Sequence, residues 1–165
     1  MPSVSSVVKR LQAAAMTPEK PDIGRLLGLD VGSRTIGLAV SDSLGITAHG
    51  LPTWRRKNKR TDLQELARVI AEYQIREIVV GYPLHMSGGT TAGSIRTAEF
   101  AEQLRQHFGL PVHLWDERLT TAEAQRVLRE SEMSIRRRSE VVDRMAAVLI
   151  LQSFMENRKN TRVDL

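Results

Sequence analysis

Three places in the chain carry acidic residues where the neighbouring sequence is apolar. Asp30 lies inside the apolar run 26–31, Asp116 and Glu117 end the run 112–115, and Asp143 precedes the apolar segment 145–151. An ionised carboxylate in apolar surroundings is costly unless a cation or hydrogen-bond donors meet it. These acids are therefore the first candidates for chemistry.

Each acid also has a structural explanation. Asp30 could accept hydrogen bonds from the turn amides of Gly32 and Ser33, and the acids at 116–117 could contact the start of the next helix. Asp143 is expected in the first turn of a closing helix capped by Ser139, where the helix dipole favours an anion. The sequence leaves these explanations open for each site, but the three sites together favour a functional cluster.

Only one of Asp116 and Glu117 is expected to face such a cluster, because successive side chains of a strand point to opposite sides. Asp116 shares the side of Leu114, and Glu117 shares the side of Trp115. Both faces of a central strand are covered in an α/β protein, so the alternation alone does not decide between them.

A group of carboxylates predicts a site for divalent cations. Like charges a few ångströms apart repel and raise each other's pKa, and hard cations such as Mg²⁺ or Mn²⁺ remove that conflict. Two such ions can activate a water and stabilise the leaving oxygen in phosphodiester hydrolysis. The chain has no cysteine, and its four histidines lack the spacing of a zinc site. The predicted chemistry is therefore metal-dependent cleavage of a phosphate ester.

The hydrophobic pattern predicts an α/β fold that could bring these acids together. Two apolar strands separated by a turn of three residues must form an antiparallel hairpin, since a parallel crossover needs a dozen residues or more. Strands that alternate with helices then extend the sheet in parallel. The predicted elements are strands at 26–31, 35–41, 46–52, 76–82 and 112–117, and helices from a cap at Thr61, over 94–108 before Gly109, from Thr120, and over 139–155.

The composition indicates one compact domain. The chain has 165 residues, of which 41% are hydrophobic and 26% charged, which is ordinary for a globular protein. We expect a weakly ordered extension at 1–24, the folded domain at 25–157 and a tail at 158–165. There is neither a signal-peptide pattern nor an apolar run long enough for a membrane span, so a cytoplasmic protein without a membrane partner is expected.

The net charge of +5 permits a nucleic-acid partner. Basic residues cluster at 55–60, directly after Trp54, and again at 136–138. Such clusters can contact phosphates, although a solvated surface loop would explain them equally well. The residues that we predict to contact nucleic acid are Arg34, Arg55, Arg56, Lys57, Lys59, Arg60, Arg118, Arg136, Arg137 and Arg138.

Four segments in a fixed order resemble the signature of the YqgF/RuvX family, whose members are described as pre-16S ribosomal RNA nucleases and Holliday junction resolvases. The segments are LDVGSRTIGLAVSD at 29–42, IVVGYPL at 78–84, DERLTT at 116–121 and VDRMAA at 142–147. Each would be weak alone, whereas all four in this order are specific. The resemblance covers about residues 26–155.

The resemblance implies a ribonuclease H-like mixed sheet flanked by helices, with Mg²⁺ or Mn²⁺ in the active site. By position, the catalytic acids fall on Asp30, on one of Asp116 and Glu117 (we prefer Glu117), and on Asp143; all four acids are candidate metal ligands. The loop at 83–89 and Arg118 would lie near the substrate. The implied function is an endonuclease that processes the 5′ end of pre-16S ribosomal RNA.

Other functions remain open at this point. A Holliday junction resolvase would use the same acids on branched DNA, and a non-catalytic RNA-binding ribosome-assembly factor could retain them. The Asp30-x-Gly32 turn also resembles the phosphate-contacting turn of actin and sugar-kinase ATPases, but those proteins bind nucleotide between two such domains. The sequence does not decide between RNA and DNA, or between a monomer and a homodimer.

Overall fold

A single five-stranded mixed sheet forms the centre of the protein. In the computed structural model, residues 3–5, 24–85, 87–116 and 135–163 are described, with side chains from 140 onward in the last range. The strands and helices are β1 (Arg25–Val31), β2 (Thr35–Ser41), β3 (Ala48–Arg55), α1 (Lys59–Tyr73), β4 (Ile75–Tyr82), α2 (Ala92–Phe108), β5 (Val112–Asp116) and α3 (Ile135–Val163).

The strand order is β3-β2-β1-β4-β5. β1 pairs antiparallel with β2, and β2 with β3, whereas β1, β4 and β5 run parallel. The predicted hairpin followed by parallel strands is therefore confirmed. We call the end of the sheet where β1, β4 and β5 finish the carboxyl edge, and the opposite end the amino edge.

Helices cover both faces of the sheet. On the α1/α2 face, Leu27 and Leu29 of β1 share a core with Leu66 of α1 and Leu104 of α2. On the α3 face, the neighbouring β1 residue Leu26 joins a second core with residues of α3. Because strand side chains alternate, each strand residue is assigned to one face. Among the residues that the structure describes, no helix is long and apolar enough to cross a lipid bilayer.

Several predicted helix ends need correction. α1 begins one turn earlier than expected, because the side chain of Asn58 caps it and accepts the amide hydrogen of Thr61 at 2.9 Å. α2 also begins earlier, at a reciprocal cap between Thr91 and Ser94. The predicted end at Gly109 is confirmed, with φ of 64° in the left-handed region that glycine tolerates.

The closing helix α3 is longer at both ends than its apolar core suggested. It starts at Ile135, so residues 136–138 are helical and not a loop, and Ser139 is not its cap. Asp143 consequently lies in the third turn, where the dipole explanation for a first-turn acid no longer applies. At the other end, the helix runs to Val163, and Arg158 forms an ion pair with the sheet. The helix predicted from Thr120 lies outside the described residues.

Candidate active site

Asp30 and Asp143 both lie next to one position of the sheet, Gly37. Asp30 lies directly opposite Gly37 in the β1–β2 pair, and opposing residues project to the same face. A Cβ atom built on Gly37 would collide with the backbone carbonyl of Asp143 and lie 3.2 Å from its Cβ. The two aspartates, 113 residues apart in sequence, therefore flank the same position on the α3 face, near the carboxyl edge.

Glycine at position 37 makes this approach possible. With no side chain there, the backbone of α3 comes down onto the sheet next to Asp30. Gly28, two residues before Asp30 on the same face, repeats the arrangement further along the helix, where an added Cβ would lie 2.8 Å from the Cβ of Leu151. The glycines thus set the depth at which α3 presents Asp143.

Thr35 holds the Asp143 carboxylate. Its hydroxyl donates a hydrogen bond of 2.6 Å to Oδ2 of Asp143. Burial raises the pKa of Asp143, the hydrogen bond from Thr35 opposes that rise, and the charge of Glu140 adds to it. Among the described side chains, no cation contributes to the pKa shift of Asp143. The charge of a partly desolvated carboxylate of this kind would be stabilised by a nearby positive ion.

Asp116 lies on the other face of the sheet. It alternates in β5 with Val112 and Leu114, which pack on the α1/α2 core, whereas Trp115 packs on the α3 core. Glu117 lies outside the described residues. Within residues 24–85, 87–116 and 140–163, no three His, Asp or Glu side chains are close enough to hold a metal together.

Most of the predicted basic residues that the structure describes are exposed. Arg55 is exposed and lies opposite Thr35 in the β2–β3 pair, which assigns it to the α3 face beside Asp143. Arg34, Lys57, Lys59 and Arg60 are also exposed. Arg118 and the side chains of Arg136, Arg137 and Arg138 lie outside the description.

Arg56 differs from these exposed residues because it is half-buried and its guanidinium is held by several contacts. Its Nε donates to the buried Asp62 at 2.9 Å, and its Nη1 donates to the carbonyl oxygen of Gly32 at 3.0 Å. The guanidinium also lies 5.2 Å from the ring centroid of Phe100. Arg56 therefore fixes the turn that follows Asp30, a role that the sequence did not indicate.

Sequence reasoning also missed Thr35 and Gly37. A signal was present in the sequence, because Thr35 and Gly37 are two residues apart in the strand that follows the turn after Asp30 and therefore share one face of the sheet. The sequence did not indicate that α3, from the other end of the chain, would contact that face.

Comparison with known proteins identifies the family. The family model described as RuvX Holliday junction resolvase matches residues 24–157. The chain belongs to the RuvX family. A Koribacter versatilis protein is 62% identical over 135 residues, covering 82% of this chain and 88% of the relative, and a Thermoanaerobacter pseudethanolicus protein is 45% identical, covering 82% and 99%. Both carry the name "Putative pre-16S rRNA nuclease".

Solved structures of other resolvases share the fold. Thermus thermophilus RuvC in complex with a Holliday junction matches with a TM-score of 0.52 at 14% identity, covering 84% of this chain and 97% of that one. Fowlpox virus resolvase with Holliday junction DNA matches with a TM-score of 0.53 at 12% identity, covering 81% and 98%. The predicted ribonuclease H-like fold is confirmed. Membership of this family also confirms the prediction of a nuclease, a hydrolase that acts on nucleic acid.

Proposed function

We propose that this protein is a divalent-metal-dependent endonuclease that processes the 5′ end of pre-16S ribosomal RNA. The observation that carries the proposal is the convergence of Asp30 and Asp143 across Gly37 at the carboxyl edge of the sheet. Ligands of open α/β sheets gather at this edge. The two relatives at 62% and 45% identity are named for pre-16S ribosomal RNA, which supports RNA as the substrate.

The residues present fit a hard divalent cation. Asp30 and Asp143 offer only oxygen donors, and the raised pKa of Asp143 reflects a carboxylate that burial has deprived of solvation. We propose Mg²⁺ or Mn²⁺ held by Asp30, Asp143 and Glu117. Glu117 is preferred over Asp116 because it shares the sequence parity of Trp115, which packs on the α3 face. When bound, the metal would supply positive charge that stabilises the phosphodiester's transition state.

The protein's own residues would orient this centre. Thr35 fixes one oxygen of Asp143, so the other oxygen of Asp143 would keep a constant direction toward the metal. Arg55, exposed on the same face, would contact a phosphate of the bound strand. Arg56 keeps the turn after Asp30 in place through the carbonyl oxygen of Gly32.

The test is cleavage of a labelled precursor of 16S ribosomal RNA by the wild type, Asp30→Asn and Asp143→Asn, each with Mg²⁺, Mn²⁺ and EDTA. We expect cleavage at the 5′ boundary only with metal, and a loss of about 10³-fold or more in each variant, because transition-state charge stabilisation by a metal is worth several kcal/mol. Asp116→Asn is the matched control and should retain activity. Equal cleavage by wild type and Asp30→Asn would reject the mechanism.

A second candidate is resolution of Holliday junctions. It is favoured by the description of the family and by the two junction-bound resolvases that share the fold. A resolvase has to cut paired strands symmetrically, which a homodimer would achieve, whereas an RNA-processing nuclease can act as a monomer. The same variants assayed on a four-way DNA junction, together with the mass of the complex in solution, would separate the two functions.

A further inference from the structure

A cavity of about 480 Å³ opens at the carboxyl edge, on the face of the sheet opposite Asp143. Its volume lies within the range of sites that hold small organic ligands. It lies between the turn after β1, the segment after β4 and one side of α2. The lining residues that matter here are Ser33, Arg56, Pro83, Arg96, Glu99 and Gln103.

The β1–β2 turn is shared by the cavity and the proposed active site. Val31 and Ser33 line the cavity, while Asp30, the residue before Val31, projects to the α3 face. Three residues of extended chain span at most about 10 Å, so Ser33 and Asp30 lie within that distance. A nucleic-acid strand that crosses this edge with one phosphate at Asp30 would bring a neighbouring nucleotide to the cavity.

Arg96 is the lining residue that suits a phosphate. Among the described residues, the lining contains two arginines, Arg56 and Arg96, and one carboxylate, Glu99. Arg56 is already paired with Asp62, whereas Arg96 is exposed on α2. Arginine is a common phosphate-binding residue because its planar group donates several hydrogen bonds at once.

The remaining lining suits an unpaired base. Pro83 offers an apolar surface, and Gln103, which is half-buried, offers both a hydrogen-bond donor and an acceptor. The guanidinium of Arg56 is already oriented by Asp62, Gly32 and the ring of Phe100. Proteins that recognise single-stranded RNA stack unpaired bases on such planar groups and bond their edges with side-chain amides.

We propose that this cavity, which we call the nucleotide pocket, binds one unpaired nucleotide of the substrate strand next to the bond that is cut. Arg96 contacts its phosphate, Arg56 offers the planar surface, and Gln103 contacts the edge of the base. The inference rests on the proposed nuclease function in one respect, namely that the bound nucleotide belongs to the strand that is cut. It assigns to the site a preference for substrates with a single-stranded nucleotide beside the cleavage position.

The test does not require cleavage. The four 5′-nucleoside monophosphates, and inorganic phosphate separately, are titrated into the isotope-labelled full-length protein without metal, and amide signals are followed by NMR. We expect nucleotides to shift the signals of Gln103 and its neighbours on α2, with affinity about tenfold lower in Arg96→Ala, since a charge-assisted contact is lost. Arg68→Ala removes an exposed arginine of α1 and is the matched control, with affinity unchanged.

A second measurement uses Gln103→Ala, which should change the order of affinities among the four nucleotides while leaving binding of inorganic phosphate unchanged. Equal affinities for phosphate and nucleotides would overturn the proposal, because the cavity would then be an anion site. Shifts confined to residues outside the cavity, or unchanged affinity in Arg96→Ala, would also overturn it. Nucleotide binding in a protein that cuts no RNA would support the pocket and reject the proposed function.

Discussion

Two carboxylates lie where helix α3 packs on the sheet, one near each edge, and their electrostatic surroundings differ. Near the carboxyl edge, Asp143 accepts a hydrogen bond from the hydroxyl of Thr35, and burial raises its pKa. Toward the amino edge, Glu77 of β4 receives both Nη atoms of Arg158, at 3.0 and 2.6 Å, and lies 2.7 Å from Nε2 of His113. The hydrogen bond from Arg158 lowers the pKa of Glu77 despite its partial burial.

The difference separates a carboxylate that is paired within the fold from the one that we propose to bind metal. The charge of Glu77 is compensated by Arg158 within the protein, and this ion pair holds the end of α3 on the sheet. Asp143 is oriented by the neutral hydroxyl of Thr35, and in the proposed mechanism a bound cation meets its charge. The same helix thus anchors itself at one edge and presents the proposed metal ligand near the other. Four substitutions test this contrast, beginning with the largest expected effect.

Gly37→Ala should have the greatest effect, because its Cβ would collide with the backbone carbonyl of Asp143. We expect a loss of about 1–3 kcal/mol in the free energy of unfolding, as for other overpacked sites, together with loss of cleavage as Asp143 moves away from Asp30. Urea unfolding and cleavage assays measure the two effects. Gly89→Ala, where the Ser87 hydroxyl is the one group of the described residues within 4 Å of the added Cβ, is the stability control. Unchanged stability and activity in Gly37→Ala would disprove the close approach of α3.

Thr35→Val should lower kcat about tenfold and leave KM unchanged, because it removes the hydroxyl that orients Asp143 while keeping the side-chain shape. Thr35→Ser retains the hydroxyl and should retain most of the activity. A rise in KM with constant kcat would instead assign Thr35 to substrate binding.

Arg158→Met should lower the free energy of unfolding by about 1.5–3 kcal/mol, the range for hydrogen bonds to charged groups, and leave kcat unchanged. Methionine keeps an apolar stem over Phe154, whose ring lies 5.1 Å from the Arg158 guanidinium. Arg68→Met, which removes exposed ion pairs with Glu65 and Glu72, should change stability by less than about 0.5 kcal/mol. Loss of activity in the folded Arg158→Met variant would show that the amino edge also serves catalysis.

The smallest effect is the pH dependence of the Glu77 ion pair. The folded pKa of Glu77 lies below the ordinary value of 4.5, so its stabilising contribution is present above that value and is lost as the pH falls through the folded pKa. The stability difference between wild type and Glu77→Gln should therefore shrink as the pH falls below about 4.5. A difference that grew below that pH would contradict this linkage.

The strands of the central sheet were predictable because their apolar runs satisfy both local preference and burial. β2 was predicted at its observed bounds, and β1 and β4 each begin one residue earlier than predicted. β3 was predicted at 46–52 but lies at Ala48–Arg55. Helix starts were less predictable, because Asn58 and Thr91 compete as caps with neighbouring polar residues such as Thr61. At its C-terminal end α3 continues past its predicted limit, where Arg158 gains an ion pair with Glu77, a contact between residues 81 apart.

The sequence by itself determined the family, the mixed sheet and the short list of acids, since apolar periodicity and the spacing of unusual carboxylates are local properties of the chain. Only the tertiary structure decided that Asp30 and Asp143 flank Gly37, that Thr35 holds Asp143, and that Asp116 lies on the opposite face. The first two depend on how closely α3 packs on the sheet. That distance is set by contacts between distant residues, which no local pattern encodes.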